Sequence, residues 1–166
     1  MTRGYDPQRL FERLHAAGVR YVIIGGWAVN AHGHRRFTGD VDICPDPDFD
    51  NLSRLANLLA GLNARQLGVE DFEPDELPGD PTDAASLAEG GNFRTETDDG
   101  ILDIMQWVSG DDRELGYDQL AGDAIHAAVF GTPVAVCSLS ALLEMKRAAG
   151  RPHDLEDLKA LQALAS

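Results

Sequence analysis

The sequence predicts an α/β (α+β) fold, a small mixed β-sheet flanked by helices and followed by a helical C-terminal segment. Three observations carry this expectation. Short runs rich in β-branched residues, at 19–26, 40–44 and 101–108, alternate with stretches whose apolar residues recur at helical spacing. Turn signals at Asp98-Asp99-Gly100 and at Gly131 divide neighbouring strand-like runs into hairpins. From Leu139 onward the pattern is helical, interrupted at residues 150–152.

Taken in order, residues 6–17 place Leu10, Phe11, Leu14 and Ala17 on one helical face, with Asp6 as N-cap, Pro7 just inside and Gly18 just past the end. VRYVIIGG (19–26) predicts a buried strand entering a tight turn, and WAVNAHG (27–33) a short helix leaving it. The polar connector RRFTG leads to a short strand, DVDIC (40–44). Leu52, Leu55, Ala56, Leu58, Leu59 and Leu62 give 49–62 the apolar stripe of an amphipathic helix. Residues 64–92 are weakly patterned and read as an acidic insertion. FRTET (93–97) pairs with ILDIMQWV (101–108), and 124–130 with 132–138. Two helices fill 139–166. With no repeat and no linker, residues 1–166 are expected to form one domain.

The 166 residues are 43% hydrophobic and 25% charged, an ordinary globular balance that excludes collagen-like and disordered classes. No apolar run approaches the roughly 20 residues of a membrane-spanning helix, and MTRGYDPQRLFERL lacks the apolar core of a secretory signal. Cys44 and Cys137, the two cysteines, form no paired motif, so a reducing cytoplasm is the expected compartment. The net charge of −14 disfavours a large nucleic-acid partner. Residues 70–83 hold seven carboxylates and no Lys or Arg, and are expected to be a solvated, mobile loop.

Chemistry concentrates between Gly25 and Asp42. A diglycine between strand and helix lets backbone approach a ligand closely, and the helix start offers N–H groups to phosphate oxygens. Asp40 and Asp42, one residue apart on a strand, point to one face, while Val41 and Ile43 point to the core. Two such carboxylates stay ionised near neutral pH only with cations between them, and Mg²⁺ suits carboxylate oxygens. Asp103, in ILDIM, shares its face with Ile101 and Met105. If its strand lies beside that of Asp40, three carboxylates converge, the layout for two metal ions about 3.5–4 Å apart. The plainer reading of Asp103 is an ion pair with Arg94 or Arg36.

GGWAVNAHGHRRFTGDVDI resembles motif I of the DNA polymerase β-type nucleotidyltransferase superfamily, a GG or GS turn followed by Asp-x-Asp. More narrowly, GGxAxxxHGxxRxTxDxD is similar to the AbiEii-type toxin nucleotidyltransferases and their minimal relatives. The resemblance implies a nucleotidyltransferase fold, with Gly25 and Gly26 holding a nucleoside triphosphate and Asp40 and Asp42 binding metal. It makes Asp103 a third metal ligand and the general base. Lys146, Arg151, Asp154, Asp157 and Leu158 resemble the family's later Lys…Arg-x-x-Asp-x-x-Asp-Leu motif, whose lysine touches nucleotide phosphates. Gly26 lacks the hydroxyl that GS members offer, and residues 64–92 match no part of the family.

The expected activity is therefore Mg²⁺-dependent transfer of an NMP group from an NTP to a hydroxyl acceptor, with two ions and Mn²⁺ as a substitute. Catalysis falls to Asp40, Asp42 and Asp103, and nucleotide contact to Gly25, Gly26, Arg36, Thr38, Lys146 and Arg151. The acceptor is a protein, a small molecule or an RNA end; the net charge disfavours RNA. A cognate antitoxin or toxin protein is a possible partner. The rivals are a non-catalytic module of the same fold, binding nucleotide or a partner, and a phosphohydrolase using the same carboxylates. Arg36 has a second reading, an ion pair holding the Asp40 loop, and Arg151 with Asp154 a helix-capping pair. His32 and His34 make a poor zinc site, because residues i and i+2 do not face one another on a helix. His32 is expected to end its helix, and Trp27 and Trp107 to join the core.

Overall fold

Asp6 begins the first ordered element of the computed structural model, which describes residues 4–68, 73–77 and 79–165. Its carboxylate accepts the Arg9 backbone N–H at 3.0 Å and caps α1 (Pro7–Ala16), whose Leu10, Phe11 and Leu14 are fully buried. β1 (Tyr21–Ile24) is buried along its whole length and runs directly into α2 (Gly25–Ala31). β2 (Asp40–Pro45) follows, then α3 (Phe49–Gly61), capped by Asp48 and packed through Leu52, Leu55, Ala56 and Leu59. β4 (Asn92–Thr97) and β5 (Gly100–Met105) form the first expected hairpin, and β8 (Ile125–Val129) and β9 (Thr132–Val136) the second. α6 (Leu139–Ala149) and α7 (Pro152–Ala165) end the chain on either side of Gly150.

Between α3 and β4 lie β3 (Arg65–Gln66), a 3-10 turn (Pro74–Glu76) and α4 (Ala84–Ala88), which buries Leu87. Part of the expected mobile loop, residues 70–72 and 78, lies outside the described residues; Glu73, Asp75, Asp80 and Asp83 are exposed. The run expected as one strand over 101–108 divides. β5 stops at Met105, and β6 (Val108–Ser109) pairs instead with β7 (Glu114–Leu115) as a separate ribbon followed by α5 (Tyr117–Gly122). Trp107 falls in that break. It is 52% exposed rather than in the core, because the strand that would have carried it inward has already ended.

Seven strands form one sheet in the order β3-β4-β5-β2-β1-β9-β8. It is mixed: β2 lies antiparallel to β1 and parallel to β5, and β1 parallel to β9. Val41, Ile43, Leu102 and Ile104 turn one face of the central strands into a core shared with α1 and α3, all four fully buried. Alternation then commits the other face to Asp40 and Asp42 on β2 and to Ile101, Asp103 and Met105 on β5. That face carries the site.

Candidate active site

The parallel register of β2 and β5 sets Asp42 opposite Asp103 and Asp40 opposite Ile101. Each of Asp40, Asp42 and Asp103 offers a carboxylate oxygen within 4.8 Å of the others. Burial is the main reason Asp42 and Asp103 resist ionisation. It pushes the Asp103 carboxyl up to about 9, helped by its hydrogen bond to Asp42 and the charge of Asp42, and Asp42 up to about 6. Both are harder to ionise than an ordinary carboxyl, and the cluster is short of positive charge.

Among the described residues, one cation hydrogen-bonds to it. Arg94 on β4, the cross-strand partner of Asp103, donates Nη1–H to Asp103 at 2.9 Å and to Asp40 at 3.2 Å. The plain alternative for Asp103, an ion pair with Arg94, is thus present alongside the clustering. Arg36 takes neither Asp103 nor the Asp40 carboxylate as its ion-pair partner.

Beside the triad, β1 turns into α2 with no intervening loop. Gly25 sits at φ +68°, and a Cβ built on it would overlap Asp42 Oδ2; one built on Gly26 would overlap Thr38 Oγ1. The diglycine is therefore required by the approach of β2 and its leading loop before any ligand is considered. Thr38, itself buried, donates its hydroxyl to the Asp40 carbonyl at 3.2 Å and fixes the start of β2.

A second charged group forms the opposite wall. Arg36 binds Asp157 bidentately, Nε and Nη2 each at 2.8 Å. Lys146, 7% exposed, reaches Asp157 at 2.9 Å and Asp154 at 3.1 Å. Arg151 contacts Asp154 at 2.6 Å, and Asp154 also accepts the Arg151 backbone N–H at 3.3 Å, so the capping reading of this pair is realised. Burial opposes ionisation of Asp154 and Asp157, yet the hydrogen bonds from Arg151, Arg36 and Lys146 outweigh it and hold both below the usual carboxylate range. Three cations against two carboxylates leave this wall with positive charge to spare.

Between the walls lies a cavity of about 650 Å³, lined by all nine residues selected from the sequence: Asp40, Asp42, Asp103, Gly25, Gly26, Arg36, Thr38, Lys146 and Arg151. Arg94, Phe37, Gln66, Asn92 and His153 also line it. Of these, Arg94 had a sequence signal, its β-hairpin position opposite Asp103; Gln66 and Phe37 had none. His32 ends α2, its Nε2 2.7 Å from the Cys137 carbonyl, and lies outside the cavity.

This arrangement of strands and helices has counterparts among solved structures. The fold is that of the nucleotidyltransferases. A crystal structure of ANT(2'')-Ia in complex with adenylyl-2''-tobramycin superposes with a TM-score of 0.61 at 19% identity, covering 96% of this chain and 90% of that one. The lincosamide antibiotic adenylyltransferase LnuA, lincomycin-bound, gives 0.64 at 13% identity, covering 98% and 99%. No family model and no curated protein matches the chain. The likeness supports the nucleotidyltransferase fold and does not single out the AbiEii type.

The residues present fit a divalent cation. Three carboxylates within reach of one another carry more negative charge than Arg94 neutralises, and oxygen donors are what Mg²⁺ and Mn²⁺ prefer.

Proposed function

We propose that this chain, acting as one domain, is a nucleotidyltransferase that moves an NMP group from an NTP to a hydroxyl acceptor and releases pyrophosphate. The observation that carries the reading is the meeting of Asp40, Asp42 and Asp103 in a cavity whose other wall is Lys146, Arg36 and Arg151. One or two Mg²⁺ ions, or Mn²⁺, held by the three carboxylates would supply neutralisation of phosphate charge and a more acidic acceptor hydroxyl.

The residues have separate tasks. Lys146 and Arg151 face the triphosphate, with Gly25 and Gly26 letting its oxygens approach the first N–H groups of α2. Arg36 and Thr38 hold the wall from which β2 departs. Asp103, which lines the cavity beside Asp40 and Asp42, accepts the proton of the acceptor hydroxyl. The acceptor oxygen forms the new bond to the α-phosphorus as the bond to the bridging oxygen breaks, and that oxygen leaves with pyrophosphate.

The acceptor we favour is a small molecule or a protein hydroxyl. The net charge of −14 opposes a long polyanion, and Arg147 is already paired with Asp111, so a large RNA is the least favoured acceptor. The small-molecule products and ligands seen with ANT(2'')-Ia and LnuA agree with this choice. The narrower AbiEii resemblance, with a cognate partner protein, rests on motif I and the later motif from Lys146 to Leu158. A cytoplasmic setting suits the two free, buried cysteines. Arg94 favours a second reading, a non-catalytic nucleotide-binding module in which the arginine stays between Asp40 and Asp103 in place of an ion.

Incubation with each of four α-labelled NTPs, Mg²⁺ and cell extract separates these readings. Transfer leaves a labelled adduct and equimolar pyrophosphate; hydrolysis leaves free nucleotide; a binding module leaves the NTP intact.

A further inference from the structure

We propose that Arg94 occupies the cation position of the triad in the resting protein, so that a divalent ion binds well only together with its nucleotide. The inference rests on the metal reading above. Arg94 Nη1 bridges Asp40 and Asp103, 3.2 Å and 2.9 Å away, and so lies between two of the three carboxylates that would hold an ion. An ion entering alone must displace a bound charge from both acids, against a loss of charge-assisted hydrogen bonds. The Arg94 side chain is 38% exposed, and β4 places it on the rim of the cavity beside Asn92. It therefore has solvent to swing into, and a triphosphate arriving with the ion offers the released guanidinium a new anionic partner. Ion and nucleotide then bind cooperatively, each raising the affinity of the other by the same factor.

The test is calorimetric titration of Mn²⁺ alone, then with a non-hydrolysable NTP analogue, into the wild type, Arg94→Gln, Arg94→Lys and Arg94→Gln/Asp103→Asn, each checked for folding by thermal melt. Arg94→Gln is expected to bind Mn²⁺ without nucleotide at least tenfold more tightly than the wild type and to lose most of the gain from the analogue. Arg94→Lys, which keeps the charge, stays near the wild type. The double variant loses the tight site, assigning it to the triad. Equal or weaker Mn²⁺ binding by Arg94→Gln, with the analogue still promoting binding in both proteins, overturns the proposal and leaves the metal reading standing. Absence of Mn²⁺ binding in every protein, even with the analogue, overturns both.

Discussion

Asp42 of β2 stands directly opposite Asp103 of β5 in a parallel register, and burial together with their mutual charge raises both carboxyls above the ordinary carboxylate range. Such an arrangement costs the fold stability at neutral pH, because both carboxyls ionise freely in the unfolded chain and are opposed by burial and each other's charge in the folded one. Asp103→Asn mimics the protonated carboxyl. It is expected to raise the melting temperature of the metal-free protein by about 2–4 °C, the shift about 1 kcal/mol produces in a domain of this size, while reducing nucleotidyl transfer to background. Differential scanning calorimetry alongside the labelled-NTP assay checks both halves.

Gly25 admits no side chain. Alanine there meets Asp42 and must also hold φ near +68°, so Gly25→Ala is predicted to destabilise by at least about 1–3 kcal/mol, read in urea unfolding. A variant as stable as the wild type contradicts the close packing of α2 on β2.

Asp157 binds two cations, Arg36 and Lys146, while only 2% of its side chain is exposed. Asp157→Ala leaves the buried Lys146 and the partly exposed Arg36 without this partner and is expected to cost about 3–5 kcal/mol. Because the same wall faces the cavity, the milder Asp157→Asn should raise the KM for NTP more than it lowers kcat.

Much of this was legible in the sequence, and the limits have physical causes. Asp40, Asp42 and the hairpin carrying Asp103 could be placed because strand alternation and the Asp-Asp-Gly turn are local signals. That β5 lies next to β2 is a pairing between distant segments; the motif resemblance suggested it, and spacing alone did not. The role of Asp157 was harder, since its partner Arg36 is 121 residues away. Trp107 was misplaced because an apolar run does not reveal where its strand stops. Glu144, on the first of the two helices expected from Leu139 onward, gave no sign that it would anchor the β6–β7 ribbon.

That anchor predicts an acid response. Arg113 donates to both Glu144 oxygens at 2.8 Å and the Asp111 backbone N–H adds 2.9 Å, holding the Glu144 carboxyl down at about 2 against an ordinary 4.5. A depressed value means stability present above pH 4.5 and lost as pH falls through about 2. Glu144→Gln should therefore melt below the wild type at pH 7, and the gap should close across that window. A gap unchanged between pH 5 and pH 2 contradicts the ion pair.

The central claim is that Asp40, Asp42 and Asp103 together hold divalent metal against a nucleotide. Anomalous diffraction from crystals grown with Mn²⁺ and a non-hydrolysable NTP analogue measures this directly. The expected map shows one or two peaks bounded by the three carboxylates, with the triphosphate towards Lys146 and Arg94 no longer bridging Asp40 and Asp103. A map with nucleotide bound, no peak among these carboxylates and Arg94 still between Asp40 and Asp103 contradicts it.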